Sequence, residues 1–333
     1  MNLFNIKNSI TTIEDKSLNA IIAFSGEMIS GHGEDSYSYF ITEKSGFMGV
    51  FDGCGGLGAR KYEKINNFSG AYISSRVIAD SLVNLFENNL DLLSIDKSVL
   101  ESTSKEIYRS IYTNLQDLNS RFSNPVSIVR GSLTKDLPTT LAMVLFENTQ
   151  KILKGSFFWV GDSRGYILTS SGIKQCTKDN VDSNEDELSN LSNDSRLENV
   201  ISSDGNFKIF TKYFESNYPA ILICATDGCF NYFCTPMNFE FALLETLHIS
   251  NSIFEWETLL FQYLKKFACD DYTLTLAAFG WDNFQSIKND FLVRYNYIKE
   301  FYIEQIQQYM EQKNNSAIVS LWNNYKLTYY YKD

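Results

Sequence analysis

The chain has 333 residues, 44% of them hydrophobic and 21% charged, which is enough apolar material for a core and excludes wholesale disorder. Only four prolines and 18 glycines exclude collagen-like and proline-rich classes. The net charge of −11 excludes a free nucleic-acid binder, which needs a basic surface against phosphates; it suits binding of cations or of a basic partner. Residues 281–333 are neutral in sum, so the excess of carboxylates sits in residues 1–280. Six cysteines, at 54, 176, 224, 229, 234 and 269, form no CxxC pair, and the histidines are His32 and His248 alone. A zinc ribbon and a His-rich metal site are therefore not indicated, and the cysteines read as reduced thiols of a cytosolic protein. No apolar run approaches the ~20 residues that span a bilayer, and the N-terminus lacks a basic stretch followed by an apolar one. The expectation is a cytoplasmic protein with no membrane partner and no cleaved signal; delivery to another compartment or cell stays open.

In chain order, Leu18 to Phe24, Ser36 to Thr42 and Phe47 to Phe51 read as strands. Two long helices follow. One runs from about Gly70 to Asn88, with Ile73, Val77, Ile78, Leu82, Leu85 and Phe86 on one face; the other runs from about Ser98 to Phe122, with Ile107, Ile111, Leu115, Leu118 and Phe122 at helical spacing. Strands return at Thr140–Phe146, Ser156–Val160, Gly165–Thr169, Lys208–Phe214, Ala220–Ala225 and Tyr272–Phe279. The polar stretch of about 178–198, with seven Asp or Glu, reads as a solvated loop or flap. Helical patterns near Asn238–Leu247 and Ser252–Phe267 flank the last strands. From Phe284 an apolar stripe continues through Ile287, Phe291, Tyr295, Ile298, Tyr302, Ile306 and Tyr309, breaks at Asn314-Asn315, and resumes with Ile318, Leu321, Trp322 and Tyr325. The expected domains are an N-terminal segment (1–17), a main domain (18–280) and a helical hairpin (281–333), which packs on the main domain or recognises a partner.

Aspartate recurs at strand ends. Asp52 follows Gly49-Val50-Phe51, Asp162 follows Trp159-Val160-Gly161, and Asp227 follows Cys224-Ala225-Thr226; Asp270-Asp271 and Glu34-Asp35 each precede a strand. A carboxylate at a buried strand end is costly unless paired or metal-bound. Several together, with few basic residues nearby, point to one shared cation site, and hard oxygen ligands select Mg²⁺ or Mn²⁺ over zinc. The run Gly53-Cys54-Gly55-Gly56-Leu57-Gly58 fits GxGxxG formally. However, Asp52 beside it would repel a pyrophosphate, the alternating strands and helices of a dinucleotide fold are missing, and no P-loop Gly-Lys-Ser/Thr follows.

Taken in order, Glu34-Asp35, Val50-Phe51-Asp52-Gly53-Cys54-Gly55-Gly56, Thr139-Thr140-Leu141, Val160-Gly161-Asp162-Ser163-Arg164, Ala225-Thr226-Asp227-Gly228 and Asp270-Asp271-Tyr272-Thr273 resemble the type-2C, metal-dependent serine/threonine protein phosphatases. The resemblance covers roughly residues 18–280. It implies an α/β fold of two antiparallel sheets packed as a sandwich with helices on both outer faces. It also implies two divalent cations, Mn²⁺ or Mg²⁺, and a weaker third. By position, Asp52 resembles the bridging carboxylate, the Gly53 carbonyl a ligand of the second metal, and Asp227 and Asp270 ligands of the first. Glu34 and Asp35 would ligate or hold metal-bound waters, and Asp162 with Asp227 matches the third site. The implied reaction is hydrolysis of phosphoserine and phosphothreonine on proteins by water activated at both metals, with no side-chain nucleophile.

The chain departs from the family pattern at three places. Ser30 stands where the family commonly has a phosphate-binding Arg, Cys54 where many members have His, and Asn231 where the family commonly has Asp. Ser30 and Cys54 are thus the substrate-binding positions in question. His32, Arg60 or Lys61 could compensate; exposed loop and helix-start positions are their alternative explanation. The competing function is a pseudophosphatase, a weak or inactive scaffold that binds phosphoprotein.

Overall fold

Strand residues alternate between two faces, so a strand that is apolar throughout needs cover on both sides. Ser45–Phe51 is such a strand: Phe47 and Phe51 enter one core while Met48 and Val50 enter another. The computed structural model describes residues 8–10, 18–122, 135–148, 152–182, 186–191, 196–217 and 219–332. Apart from residues 8–10, the 1–17 segment lies outside them.

Among the described residues, six strands form one sheet, in the order Ser9–Ile10, Ser36–Ile41, Ser45–Phe51, Leu141–Asn148, Ile152–Val160 and Phe210–Asn217. Five form the other: Gly172–Gln175, Arg164–Thr169, Ala220–Ala225, Tyr272–Phe279 and Leu18–Gly26. Pairing is antiparallel except for Ser9–Ile10. Between the sheets lie Met48, Val50, Ala142, Val144, Phe157, Leu222, Cys224 and Ala277. Helices Gly70–Asn88 and Leu100–Phe122 cover the outer face of the first sheet, and Pro236–Ile249 and Ile253–Lys265 cover that of the second. This is the expected αββα sandwich. Gly172–Gln175 and the two-residue pair Lys61–Tyr62 with Phe68–Ser69 are additions, too short to show periodicity in the sequence.

The C-terminal stripe becomes helix Phe284–Ile298, a π-helical turn Lys299–Ile303 and helix Glu304–Glu311; Asn314 then caps helix Asn315–Tyr329. Ile287, Phe291, Tyr295, Ile298, Ile306, Trp322 and Tyr325 share one core with Ile221, Ile223 and Leu243, so the hairpin packs on the second sheet's helical layer. A buried ion pair stitches it there. Arg294 Nε and Nη2 donate to the two Glu240 carboxylate oxygens at 2.7 and 2.8 Å, and the Tyr325 hydroxyl donates to the same carboxylate.

The polar 178–198 stretch is not simply a solvated loop. Asp179 and Glu187 are buried, the first against Arg164 and the second accepting from the Tyr330 hydroxyl. Residues 183–185 and 192–195 of it lie outside the described residues.

The Arg294–Glu240 pair makes a stability test. Arg294→Met leaves a fully buried carboxylate without its cation, which costs about 3–5 kcal/mol. Adding Glu240→Gln should recover much of that loss, measured as the urea midpoint of the single and double variants.

Candidate metal centre

Strand register brings the acidic strand ends together. Ser36 pairs with Phe51, Val50 with Ala142, and Ala225 with Leu274. Asp35 and Asp52 therefore leave adjacent strands at one end of the first sheet, and Asp227 leaves the second sheet beside them. The Asp52 backbone is held on both sides. Its carbonyl accepts from Thr140 N (2.8 Å) and Thr139 Oγ1 (2.6 Å), while its N–H donates to Thr140 Oγ1 (3.3 Å), which in turn contacts Ser163 Oγ at 2.7 Å.

The glycine run answers to close approach rather than to a nucleotide. A Cβ on Gly53 would lie 2.5 Å from the Ala71 carbonyl oxygen and 2.6 Å from that of Glu34, and one on Gly55 would lie 2.0 Å from Glu34 Oε2. Only glycine lets the Glu34 loop and the start of helix Gly70–Asn88 close on this turn. Ser69, the N-cap of that helix, donates to Glu34 Oε1.

Asp271 organises the loop before the site. Its two carboxylate oxygens accept from Met28 N at 2.8 Å and Glu34 N at 2.7 Å. Arg76 Nη2 donates to the Gly33 carbonyl at 2.9 Å from below, and its guanidinium lies 3.6 Å from the Tyr72 ring centre. Asp35 is buried and accepts from Thr226 Oγ1 at 2.8 Å. Asp227 Oδ2 accepts from Asn231 Nδ2 at 3.1 Å, so the residue that departs from the family pattern orients this carboxylate. Asp162 Oδ1 is buried and has no hydrogen-bond partner. Asp270 is exposed and accepts from Asp271 N.

The carboxylates act on one another. Burial holds Asp52 well above the ordinary carboxylate range, and Asp35, Asp227, Asp162 and Asp270 push it further. Asp35 and Asp162 are raised in the same way, by burial first and then by Asp227. Asp227 is pushed up to about 6 by burial and Asp270. Glu34 is raised, chiefly by burial, and Asp270, an exposed residue, is raised by partial desolvation of its carboxylate and by the neighbouring Asp271. The Cys54 thiol is pushed far up by burial and the same aspartates, so it stays protonated. Nearby cations are engaged elsewhere: Arg164 pairs with Asp179 at 2.6 Å, and Arg76, which tempers Glu34, donates to the Gly33 carbonyl at 2.9 Å. Among the described residues, no group of three or more His, Cys, Asp or Glu side chains stands in a geometry that could hold a metal ion. The donor set is hard oxygen, partly buried, crowded and short of positive charge, and one buried atom of it, Asp162 Oδ1, is orphaned; it fits divalent cations such as Mg²⁺ or Mn²⁺.

Ser30 and Cys54, the expected substrate-binding positions, differ in exposure. Ser30 is at an exposed loop tip, where its carbonyl contacts His32 Nδ1 at 3.2 Å. Cys54 is half-buried, with its thiol 3.8 Å from the Asp52 carbonyl oxygen. Lys61 is exposed. Sequence reasoning named Asp271 in the last acidic motif without giving it a role, and passed over Ser69 and Arg76. Ser69 has the signal of an N-cap residue before an apolar helical stripe, and Arg76 lies inside that helix with no signal of its own.

No protein-family model and no curated protein matches the chain. Solved structures do. The chain is similar to the serine/threonine phosphatase Stp1 from Staphylococcus aureus, with a TM-score of 0.56 and 18% identity, covering 83% of this chain and 98% of that one. A bacterial serine phosphatase gives 0.56 and 19%, over 80% and 99%. The catalytic domain of the serine/threonine protein phosphatase PstP, in complex with two manganese ions, gives 0.51 and 14%, over 78% and 98%. The fold is thus that of the bacterial type-2C serine/threonine phosphatases.

Raised carboxylates make a pH test. The folded protein binds more protons than the unfolded chain between the ordinary Asp pKa and the raised one, so these groups lower stability as pH rises through that window, about pH 4 to 6 for Asp227. Asp52→Asn removes one of the repelling charges. Without metal it should melt higher than the parent, with the difference growing from about pH 4 to pH 7; with Mn²⁺ added, the parent should gain more in Tm than the variant.

Proposed function

We propose that the chain is a protein serine/threonine phosphatase that hydrolyses phosphoserine and phosphothreonine using two divalent cations, Mn²⁺ or Mg²⁺, with a weaker third. The observation that carries this reading is the crowd of mutually raised carboxylates at one edge of a type-2C phosphatase fold. Asp52 would serve both cations, the Gly53 carbonyl the second, Asp227 and Asp270 the first, Glu34 and Asp35 the surrounding waters or the ions themselves, and Asp162 with Asp227 the third. Bound there, the cations would neutralise phosphoryl oxygens and lower the pKa of water.

The chain's own groups position. Thr139 and Thr140 fix the Asp52 backbone, Thr226 and Asn231 orient Asp35 and Asp227, and Asp271 holds the Ser30 loop against the site. The protonated Cys54 supplies a neutral wall and no nucleophile. Residues 18–280 would form the catalytic unit and residues 281–333 an extension packed on it. All six cysteines are free, which suits the reducing cytosol, and the net charge of −11 argues against nucleic acid as substrate. No described helix is long and apolar enough to cross a membrane.

The purified protein should hydrolyse p-nitrophenyl phosphate and a phosphothreonine peptide with Mn²⁺ and lose that activity with EDTA. Ser30→Arg restores a charge-assisted phosphate contact worth about 2 kcal/mol, so kcat/KM should rise about tenfold or more. Parent and variant both inert with Mn²⁺ bound would overturn the reading.

A further inference from the structure

The C-terminal helix reaches across the molecule to the polar stretch that leaves the candidate site. Trp322 is buried, and its Nε1 donates to Asp186 Oδ2 at 2.8 Å; Lys326 Nζ donates to the same oxygen at 2.9 Å. The Tyr330 hydroxyl donates to Glu187, which is itself buried. Asp186 caps the short helix Glu187–Asn190 by accepting from Ser189 N at 3.3 Å. Two side chains of the last helix and one from its C-cap residue thus hold two consecutive acidic residues.

The other end of the stretch is tied to the carboxylate cluster. Asn180 N donates to the Gly161 carbonyl at 2.9 Å and Gly161 N donates to Asn180 Oδ1 at 3.1 Å, one residue before Asp162. Asp179 takes Arg164 in a two-pronged ion pair, with Nη2–Oδ2 at 2.6 Å and Nε–Oδ1 at 3.0 Å, almost entirely out of solvent. The Arg164 guanidinium lies 4.1 Å from the ring centre of Phe230, in the turn that carries Asp227. Between these anchors, residues 180–182 pair with 196–198. Asp179 and Asn180 thus anchor one described part of the stretch beside Asp162, and the C-terminal helix anchors another, residues 186–191.

We propose that Trp322, Lys326 and Tyr330 are positioning residues: the C-terminal helix clamps Asp186 and Glu187, and so fixes the surface beside the candidate site that a protein substrate must meet. The substrate part of this rests on the phosphatase reading; the clamp itself does not. A small aryl phosphate touches only the phosphate site and should not register the clamp. A phosphoprotein spreads over the neighbouring surface and should.

The test uses the full chain with Trp322→Phe and Lys326→Met combined, which removes both donors to Asp186 while keeping an aromatic ring in the core. Amide hydrogen exchange at residues 186–191 should speed up about tenfold or more, with the sheet amides unchanged. With Mn²⁺, KM for serine-phosphorylated casein should rise about fivefold or more, while kcat/KM for p-nitrophenyl phosphate stays within about twofold. Asp186→Asn, made from the other side of the contact, should reproduce the casein effect and add little to the double variant. Unchanged exchange at 186–191 would overturn the clamp, as would equal losses on casein and p-nitrophenyl phosphate. If the parent turns over neither substrate, the phosphatase reading fails and the exchange contrast alone decides the clamp.

Discussion

Like charges held close together in a recess set the terms for the rest of this molecule. Asp35, Asp52, Asp162 and Asp227 each make the others harder to ionise. What orients them is mostly neutral: threonine hydroxyls, the Asn231 amide and backbone N–H groups. Neutral donors fix direction without cancelling charge. The strong cations that act on the cluster are turned to other partners, Arg164 to Asp179 and Arg76 to the Gly33 carbonyl and the Tyr72 ring. The cluster therefore keeps an electrostatic deficit that a hard divalent ion would fill, at the cost of metal-free stability.

Close backbone approach makes that crowding achievable. Gly53 admits the carbonyls of Ala71 and Glu34, and a Cβ at Gly228 would lie 2.0 Å from the Asp271 carbonyl oxygen. At both positions a side chain would force apart two segments that each carry a candidate ligand. Asp271 works in the opposite sense. By accepting from Met28 N and Glu34 N it draws the loop after the first long strand onto the start of the last, so the Ser30 loop is placed by the same element that bears Asp270.

The C-terminal hairpin has a second kind of importance. The matches cover almost all of the similar structures and leave about a fifth of this chain unmatched. The hairpin shares the core of the second sheet, and its Arg294 neutralises Glu240 deep in the helical layer. Its far end meets the polar stretch beside the carboxylates.

Much of this was legible in the residues themselves. Helix Gly70–Asn88 and strands Ala220–Ala225 and Tyr272–Phe279 have the bounds their apolar spacing predicts, because periodicity of burial is a local property. The sandwich was implied by the resemblance of the ordered acidic motifs to the type-2C phosphatases and not by periodicity, which placed only the strands that those motifs end or begin. The partners of those carboxylates were another matter. Asp271 meets Glu34 across 237 residues and Trp322 meets Asp186 across 136, and no local pattern encodes such pairs. Likewise, the acidic stretch at 178–198 looked solvated by composition, yet Asp179 and Glu187 are buried because Arg164 and Tyr330 arrive from elsewhere in the chain. Sequence by itself determined which segments become strands and helices and which residue types stand at their ends. Only the tertiary structure decided which charges face each other and which are paired, because burial and Coulomb interaction depend on distance in space and not along the chain.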